Sequence, residues 1–473
     1  MPSTGPTPTS AVASDPLSAP RRVVAPFVLV AAITMTFLAA SSAPTPLYAT
    51  YQESLSLAPV SVTVIFAAYA LALLGALLVA GRLSDFIGRK PVILAAIAVE
   101  MIAMVMFAVA DSAPELTAAR IVQGLATGAA TSATAAALAD LIPHRSALVA
   151  SVSPVVGMAA GALGSGVLVV EAPAPEQTVY IVLTIAFGLL AMAASMMRET
   201  APRRPGALGS LRPRMAAPTM ARRPLLTAAP VLVAVWSLGG FYLSLGPRLA
   251  NEITGTSSPL MGADLVSTLT LSGAAAILVL RAHSPARVFA IGAASLVAGL
   301  SVSLVGVGID MATLLFGGAL IAGIGFGAGF QGSMRIVMPS ASPEERAGLL
   351  STFYVISYLS MGVPAVLAGL LAGAGGIKLA AMTVGGVLIA LSAGALVGVA
   401  RGGRDADERA AHLASADDVR RHSARTAFPL PEERHEQIAD TVNHIDSVTT
   451  VLRTIPLHET PPASSFRPNG TNR

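Results

Sequence analysis

No cysteine occurs in the 473 residues, which excludes disulfide bridges and thiolate metal centres. Charge is scarce as well. Asp, Glu, Lys and Arg make up 12% of the chain, against roughly 25% in soluble domains. Charges are missing for about twenty residues at a time, which an Ala-rich soluble core does not explain. Aromatic residues reach only 5%. The formal net charge is +4, yet the arginines sit in short breaks between apolar runs. They form no basic face of the kind nucleic acid requires. No Gly-x-x-x-x-Gly-Lys-[Ser/Thr] loop, no His-Glu-x-x-His helix and no cluster of metal ligands is present. Neither a metal nor another cofactor is expected, and the chain is not expected to be an enzyme.

What is abundant is apolar: 54% of the residues are hydrophobic, with 43 glycines and 33 prolines. About 20 apolar residues cover the hydrocarbon of a bilayer. Twelve such segments occur, near 23–43, 58–80, 91–110, 116–138, 148–170 and 177–197, then 225–246, 264–280, 287–307, 311–332, 349–372 and 378–400. Transmembrane β-strands are about half as long and alternate in polarity, so a barrel is excluded. The first segment follows Arg21 and Arg22 like a signal peptide. Its length and the eleven similar runs behind it identify it instead as the first span. The expected fold is an all-α integral membrane protein of twelve transmembrane helices.

Basic residues mark cytoplasmic loops. With the N-terminus placed inside, inward loops before residue 401 hold 17 Lys and Arg and outward loops hold only Arg248 and Lys378. Both termini are therefore expected in the cytoplasm, in a multi-pass protein of the cell (inner) membrane. The longest connection, 198–224, carries seven arginines and five prolines and separates an N-terminal six-helix bundle (21–197) from a C-terminal one (225–400). Echoes spaced by about 200 residues support duplication: Ala25-Pro26 and Ala229-Pro230, Gly124 and Gly128 against Gly323, Gly325 and Gly327, Arg145 and Arg346. Parallel repeats of this kind are related by a pseudo-twofold axis along the membrane normal. Residues 1–20 form a Pro, Ser and Thr rich tail expected to be disordered. Residues 401–473, with ten arginines, eleven acids and five histidines, form a largely disordered tail with short helices near 404–415 and 432–453.

Chemistry concentrates at a few places. The loop after span two reads Gly81-Arg-Leu-Ser-Asp85-Phe-Ile-Gly88-Arg89-Lys90. Asp85 and Arg89 would share a helix face if the loop is helical. This segment resembles the signature loop of the major facilitator superfamily, and the resemblance implies gating roles for Gly81, Asp85, Gly88, Arg89 and Lys90. The corresponding loop after span eight, Arg281 to Arg287, lacks the acid and the glycines. Span four begins with Arg120, Gln123 and Gly124, which resembles a second family motif linked to proton coupling in efflux members. Arg120 lies about one turn inside the outer end of its span, where it either serves function or snorkels to the headgroups. Glu100, near the middle of span three, should be neutral or paired, with Arg120 as the evident partner.

Span five carries Pro154, Gly157, Gly161, Gly164 and Gly166. The drug-proton antiporters of the family have a glycine framework here with a Pro after the second Gly. This chain has Ala162 at that place, so small-residue packing is the rival reading. The family lines its cavity with spans one, four, seven and ten. By that resemblance Tyr48 and Tyr51, then Trp236, Phe241 and Tyr242, and finally Gln331 and Arg335 are cavity candidates, with interface anchoring the alternative for the aromatics. The expected function is secondary active transport by alternating access, through proton-coupled efflux (antiport) of small amphipathic or hydrophobic compounds. Proton-coupled uptake of a small metabolite is the alternative within transport. A membrane sensor or scaffold acting through the C-terminal tail is the alternative outside it. The expected partners are a small solute, protons and the bilayer, with a functional monomer.

Overall fold

The computed structural model describes residues 19–212, 215, 218–342, 345–411, 416–425 and 431–453. The tail expected at the N-terminus lies outside them up to residue 18. Within them the first half comprises α1 (Ala19–Ser42), α2 (Pro44–Ser54), α3 (Pro59–Ala80), α4 (Ser84–Ile87), α5 (Arg89–Ala108), α6 (Ala113–Leu141), α7 (Pro143–Glu171) and α8 (Pro175–Met196). After the short α9 (Ala207–Ser210) come α10 (Thr219–Thr254), α11 (Pro259–Leu280), α12 (Pro285–Gly308), α13 (Ala312–Val337) and α14 (Arg346–Ala411). The tail adds α15 (Ala416–Arg425) and α16 (His435–Arg453). No strand occurs among the described residues.

Prolines stand where a helix tolerates them. Pro44, Pro59, Pro143, Pro175, Pro259 and Pro285 each open a helix, where the missing N–H has no intrahelical partner to lose. α3, with 22 residues, is about 33 Å long at 1.5 Å per residue, enough for the hydrocarbon. Twelve spans result. α1 and α2 form the first, and α14 holds the last two, broken where Gly375 and Gly376 leave helical geometry. Gly376 has φ +85°, which a residue with a Cβ rarely adopts. Several helices outrun the expected segments: α10 starts at Thr219 and ends at Thr254, because internal hydrogen bonding continues past the hydrocarbon. On α8, Ile181, Ile185, Leu189 and Met192 are all more than half exposed. Their i, i+4, i+8, i+11 spacing makes one apolar face, which suits lipid and not water.

The duplication is visible in packing. Gly124 and Gly128 of α6 press on the backbone of Tyr69 and Leu73 in α3. About 200 residues later, Gly323 and Gly327 of α13 press on Leu269 and Gly273 in α11. Gly325 faces α12 instead, against Leu296 and Gly292. The two halves meet along two seams. On one, Gly166 of α7 abuts Ala263 of α11 and Ser267 Oγ donates to the Ala159 carbonyl at 3.3 Å. On the other, Gly369 and Gly362 of α14 lie on Thr63 and on Ala67 and Ala70 of α3. Both seams run from the end of the molecule where α3 and α11 begin, called here the Tyr51 end; the opposite one is the Arg89 end.

The described residues from 399 on form a compact unit of their own. In it α15 packs against α16, with Ala439 and His435 buried. The first tail helix runs on from α14 as far as Ala411, and the second occupies 435–453, near the expected ranges.

Candidate functional site

Arg120, on α6, is fully buried, as are Gln123 one turn on and Glu100 on α5. Arg120 does not snorkel. Its Nε and NH2 donate to Tyr48 Oη at 3.1 and 2.6 Å. Its NH1 donates to the Ser41 carbonyl at 2.9 Å and to Gln123 Oε1 at 2.6 Å. The guanidinium also lies 5.4–5.6 Å from the ring centres of Tyr48, Tyr69 and Phe107, close enough for cation–π attraction. All these partners are neutral. Gln123 Nε2 in turn donates to Glu100 Oε1 at 3.1 Å and to the Ala40 carbonyl at 3.0 Å. Thr127 Oγ1 approaches Glu100 Oε2 at 3.4 Å.

Arg120, the evident partner of Glu100, reaches it only through Gln123. No ion pair joins them among the described residues, and one amide relays between them. Flipping that amide would set its NH2 against the guanidinium and its oxygen against the Ala40 carbonyl, so its orientation is fixed by its neighbours. The pseudo-symmetric positions in the second half, Gly299, Ala319 and Ala322, are small and tightly packed. Among the described residues, the first half alone carries this polar centre.

A second cluster lies at the Arg89 end. The loop is not one helix: α4 is a single turn, Gly88 takes φ +103°, and α5 starts at Arg89. The Asp85–Arg89 ion pair forms across that break. Arg89 Nε also donates to Asp140 Oδ2 at 3.0 Å, and an Arg89 NH1 donates to Ser84 Oγ at 2.9 Å. Glu199, just past α8, accepts the backbone N–H of Arg89 at 2.8 Å and of Lys90 at 3.2 Å. An anion here complements the unsatisfied N–H groups and positive dipole end of α5. A Cβ on Gly88 would collide with the Glu199 carboxylate. The Arg204 N–H donates to the Phe86 carbonyl at 2.8 Å, so the start of the inter-half linker is bolted to the loop. Gly81 keeps ordinary right-handed helical geometry. Asp140 and Glu199 escaped sequence reading. Their signal was acidity in segments otherwise marked by arginine.

The third cluster is aromatic and sits mid-helix in the second half. Trp236 of α10 packs on Tyr358 of α14 at 4.7 Å and on Phe330 of α13 at 5.9 Å between ring centres. Tyr354 lies 6.1 Å from Tyr358. The Trp236 Nε1 atom is buried without a hydrogen-bond partner.

Several expectations change. Tyr48 and Tyr51 do not line a cavity mouth. Both are buried in the first half, Tyr48 on Arg120 and Tyr51 on the hydroxyl of Tyr180 at 3.1 Å. The Tyr48 ring covers a desolvated cation, which needs partners more than the mouth needs walls. Phe241 and Tyr242 turn into a crevice within the second half, beside Leu300, Ser303 and Leu388. Gln331 is half-buried and donates to the Ile277 carbonyl at 3.4 Å. Arg335 donates to the carbonyls of Arg281 and His283 at 3.4 and 2.8 Å, tying α13 to the loop after α11. In α7, Gly157 and Gly161 press on the backbone of Met35 and Ala39 in α1, reinforced by Ser42 Oγ on the Met158 carbonyl at 2.8 Å. Gly164 has nothing near it, so it takes no part in that packing. Pro154 lies inside α7.

A family model described as Major Facilitator Superfamily matches residues 29–282. No curated protein matches the chain at a significant level. Among solved structures, the chain is similar to a mutant of the nucleoside transporter NupG, with TM-score 0.61 and 12% identity over 79% of this chain and 99% of that one. It is also similar to the human organic anion transporter MFSD10 (TETRAN), with TM-score 0.58 and 17% identity over 80% of this chain and 99% of that one. At such identities both likenesses concern the fold.

Proposed function

Because the chain belongs to the Major Facilitator Superfamily, and so is a membrane transporter of small solutes, we propose that it works by alternating access and couples solute efflux to protons through Glu100. One observation carries this reading. Glu100 is fully buried, and its hydrogen-bonding neighbours, Gln123 and Thr127, are neutral. An ionised carboxylate is costly in such a place unless a cation compensates it. Arg120 supplies that cation one residue away. When Glu100 is charged the pair is neutral overall. When Glu100 takes a proton, the cation left behind is held by the Tyr48 hydroxyl and three ring faces. Both states are therefore provided for, which suits a group that loads and releases a proton.

Among the described residues the second half has no comparable centre and carries instead the aromatic cluster of Trp236, Phe330, Tyr354 and Tyr358. That favours small amphipathic or hydrophobic compounds. With both termini in the cytoplasm of a cell-membrane protein, the Arg89 end faces inward and the two seams close the outer side. In that orientation the Gly81–Lys90 loop, Asp140 and Glu199 act as the inner gate. The functional unit is a single chain, since both seams form within it.

Reconstitution in proteoliposomes with an imposed pH gradient tests the reading. Solute movement against its gradient, driven by protons and lost in Glu100→Gln, is the expected result. Movement indifferent to the pH gradient overturns proton coupling, and co-directional movement replaces antiport with uptake.

A further inference from the structure

We propose that the segment between the two halves is an interaction surface for anionic phospholipid headgroups, gripped by Arg198, Arg212, Arg222 and Arg223 beside the outward-facing Leu208 and Met220. Neither the transported solute nor the proton enters into it.

No Asp or Glu occurs between Glu199 and Glu252. Arg198, Arg203, Arg204, Arg212, Arg222 and Arg223 are all exposed, and none of them forms an ion pair among the described residues. The acids of the Arg89 cluster are engaged elsewhere. Asp85 and Asp140 hold Arg89. Glu199 accepts the backbone N–H groups of Arg89, Lys90, Thr200 and Ala201. Six like charges therefore remain without internal compensation, which attracts an external anion.

The fold sets these charges at a lipid boundary. On α8, Met192 and Met196 continue the exposed apolar face to the last residue of the helix, and Arg198 follows two residues later. On α10, Leu226 is 73% exposed, and on a membrane span an exposed apolar side chain meets acyl chains. Arg222 stands one turn earlier on the same face, about 6 Å towards the Arg89 end at 1.5 Å per residue. A guanidinium at that height reaches the headgroup phosphates, for which its planar set of donors is suited.

Between the two helices the segment is two-sided. Ala201, Ser210 and Ala221 are buried, whereas Leu208 and Met220 are 84% and 80% exposed. Its start is fixed by the Arg204 N–H on the Phe86 carbonyl at 2.8 Å. Large apolar side chains interleaved with arginines suit the headgroup region, where apolar burial and attraction to anionic lipid add. Nucleic acid would engage the arginines and leave Leu208, Met215 and Met220 in water. A lipid surface covers both kinds of side chain.

The full-length chain has no cysteine of its own, so Leu208→Cys places an environment-sensitive fluorophore on this surface alone. The labelled protein is studied in nanodiscs of phosphatidylcholine containing increasing phosphatidylglycerol. Emission should move to the blue and quenching by acrylamide should fall saturably as phosphatidylglycerol rises, and high salt should weaken both changes. With Arg222→Gln and Arg223→Gln added, at least about fivefold more phosphatidylglycerol should be needed for half the effect, the factor for one arginine near an anionic surface. The melting temperature in phosphatidylcholine should stay that of the parent. The proposal is overturned if phosphatidylglycerol has no effect or if the arginine variant responds like the parent. A label already shielded in phosphatidylcholine alone would mean that protein covers the segment. A shift produced by inorganic phosphate in phosphatidylcholine nanodiscs would make it a site for soluble anions. Either result also overturns the lipid surface.

Discussion

Glu100 and Arg120 are joined through one side chain, Gln123, which accepts from the guanidinium at 2.6 Å and donates to the carboxyl group at 3.1 Å. The two charged residues consequently play different parts. Arg120 organises four hydrogen bonds to α1, α2 and its own helix, whereas Glu100 hangs on the end of the network. Glu100→Gln should leave folded protein within about a factor of two of the parent and cut gradient-driven flux about a hundredfold, the low end of what positioned proton-transfer groups contribute. Arg120→Ala should lose protein as well, because stripping one member from a buried charged network costs about 3–5 kcal/mol. Flux normalised to protein in the membrane separates the two outcomes; equal loss of flux and abundance in Glu100→Gln would make it a structural residue.

Helix packing gives a paired test in α7. A Cβ at Gly161 would overlap the backbone of Ala39, so Gly161→Ala should destabilise by about 1–3 kcal/mol. Gly164 faces open space, and Gly164→Ala should be neutral or stabilise by up to about 1 kcal/mol through helix propensity. Thermal unfolding in detergent ranks the two variants, and equal shifts would refute the close approach of α1 and α7.

At the Arg89 end the expectation concerns rate. Asp85→Asn should slow turnover with little change in solute affinity, since Arg89 keeps Asp140. Glu199→Ala should act in the same direction by freeing the N-terminus of α5. Binding titrations and turnover measured on the same preparations check this; normal turnover with lost affinity would contradict a gating role.

Removing residues 401–473 should preserve most of the flux, because the tail is a separate compact unit and the polar centre and aromatic wall lie before it. Loss of function with retained solute binding would favour the sensor or scaffold reading instead.

The absence of cysteine makes topology directly testable. Single cysteines introduced at Pro205 and at Pro173 should react with a membrane-impermeant maleimide from opposite sides of sealed vesicles. Reaction from one side would overturn the alternation of spans.

Much of the fold was legible because hydrocarbon imposes a simple rule: backbone polar groups must be satisfied within the spanning segment. Run length therefore located the spans. The duplicated glycines were equally legible, since Gly124 and Gly323 occupy like places in like runs. Candidate site residues were harder. Glu100 and Arg120 stood out because charge inside a span is costly, but nothing in the sequence showed that Gln123 stands between them. Tyr48 and Tyr51 were assigned to a cavity mouth from their place in span one, although burial of Arg120 draws Tyr48 inward. Asp140 and Glu199 are 51 and 110 residues from Arg89, and nothing in local pattern links them.

The sequence alone determined that this chain crosses a membrane many times as two related sets of helices, because apolar length and charge placement act locally along the chain. Tertiary structure decided which polar groups meet, since partners on α1, α3, α5 and α6 are brought together only by packing. Side-chain direction around a helix depends on what the neighbouring helix leaves open, and that is not written in any single span.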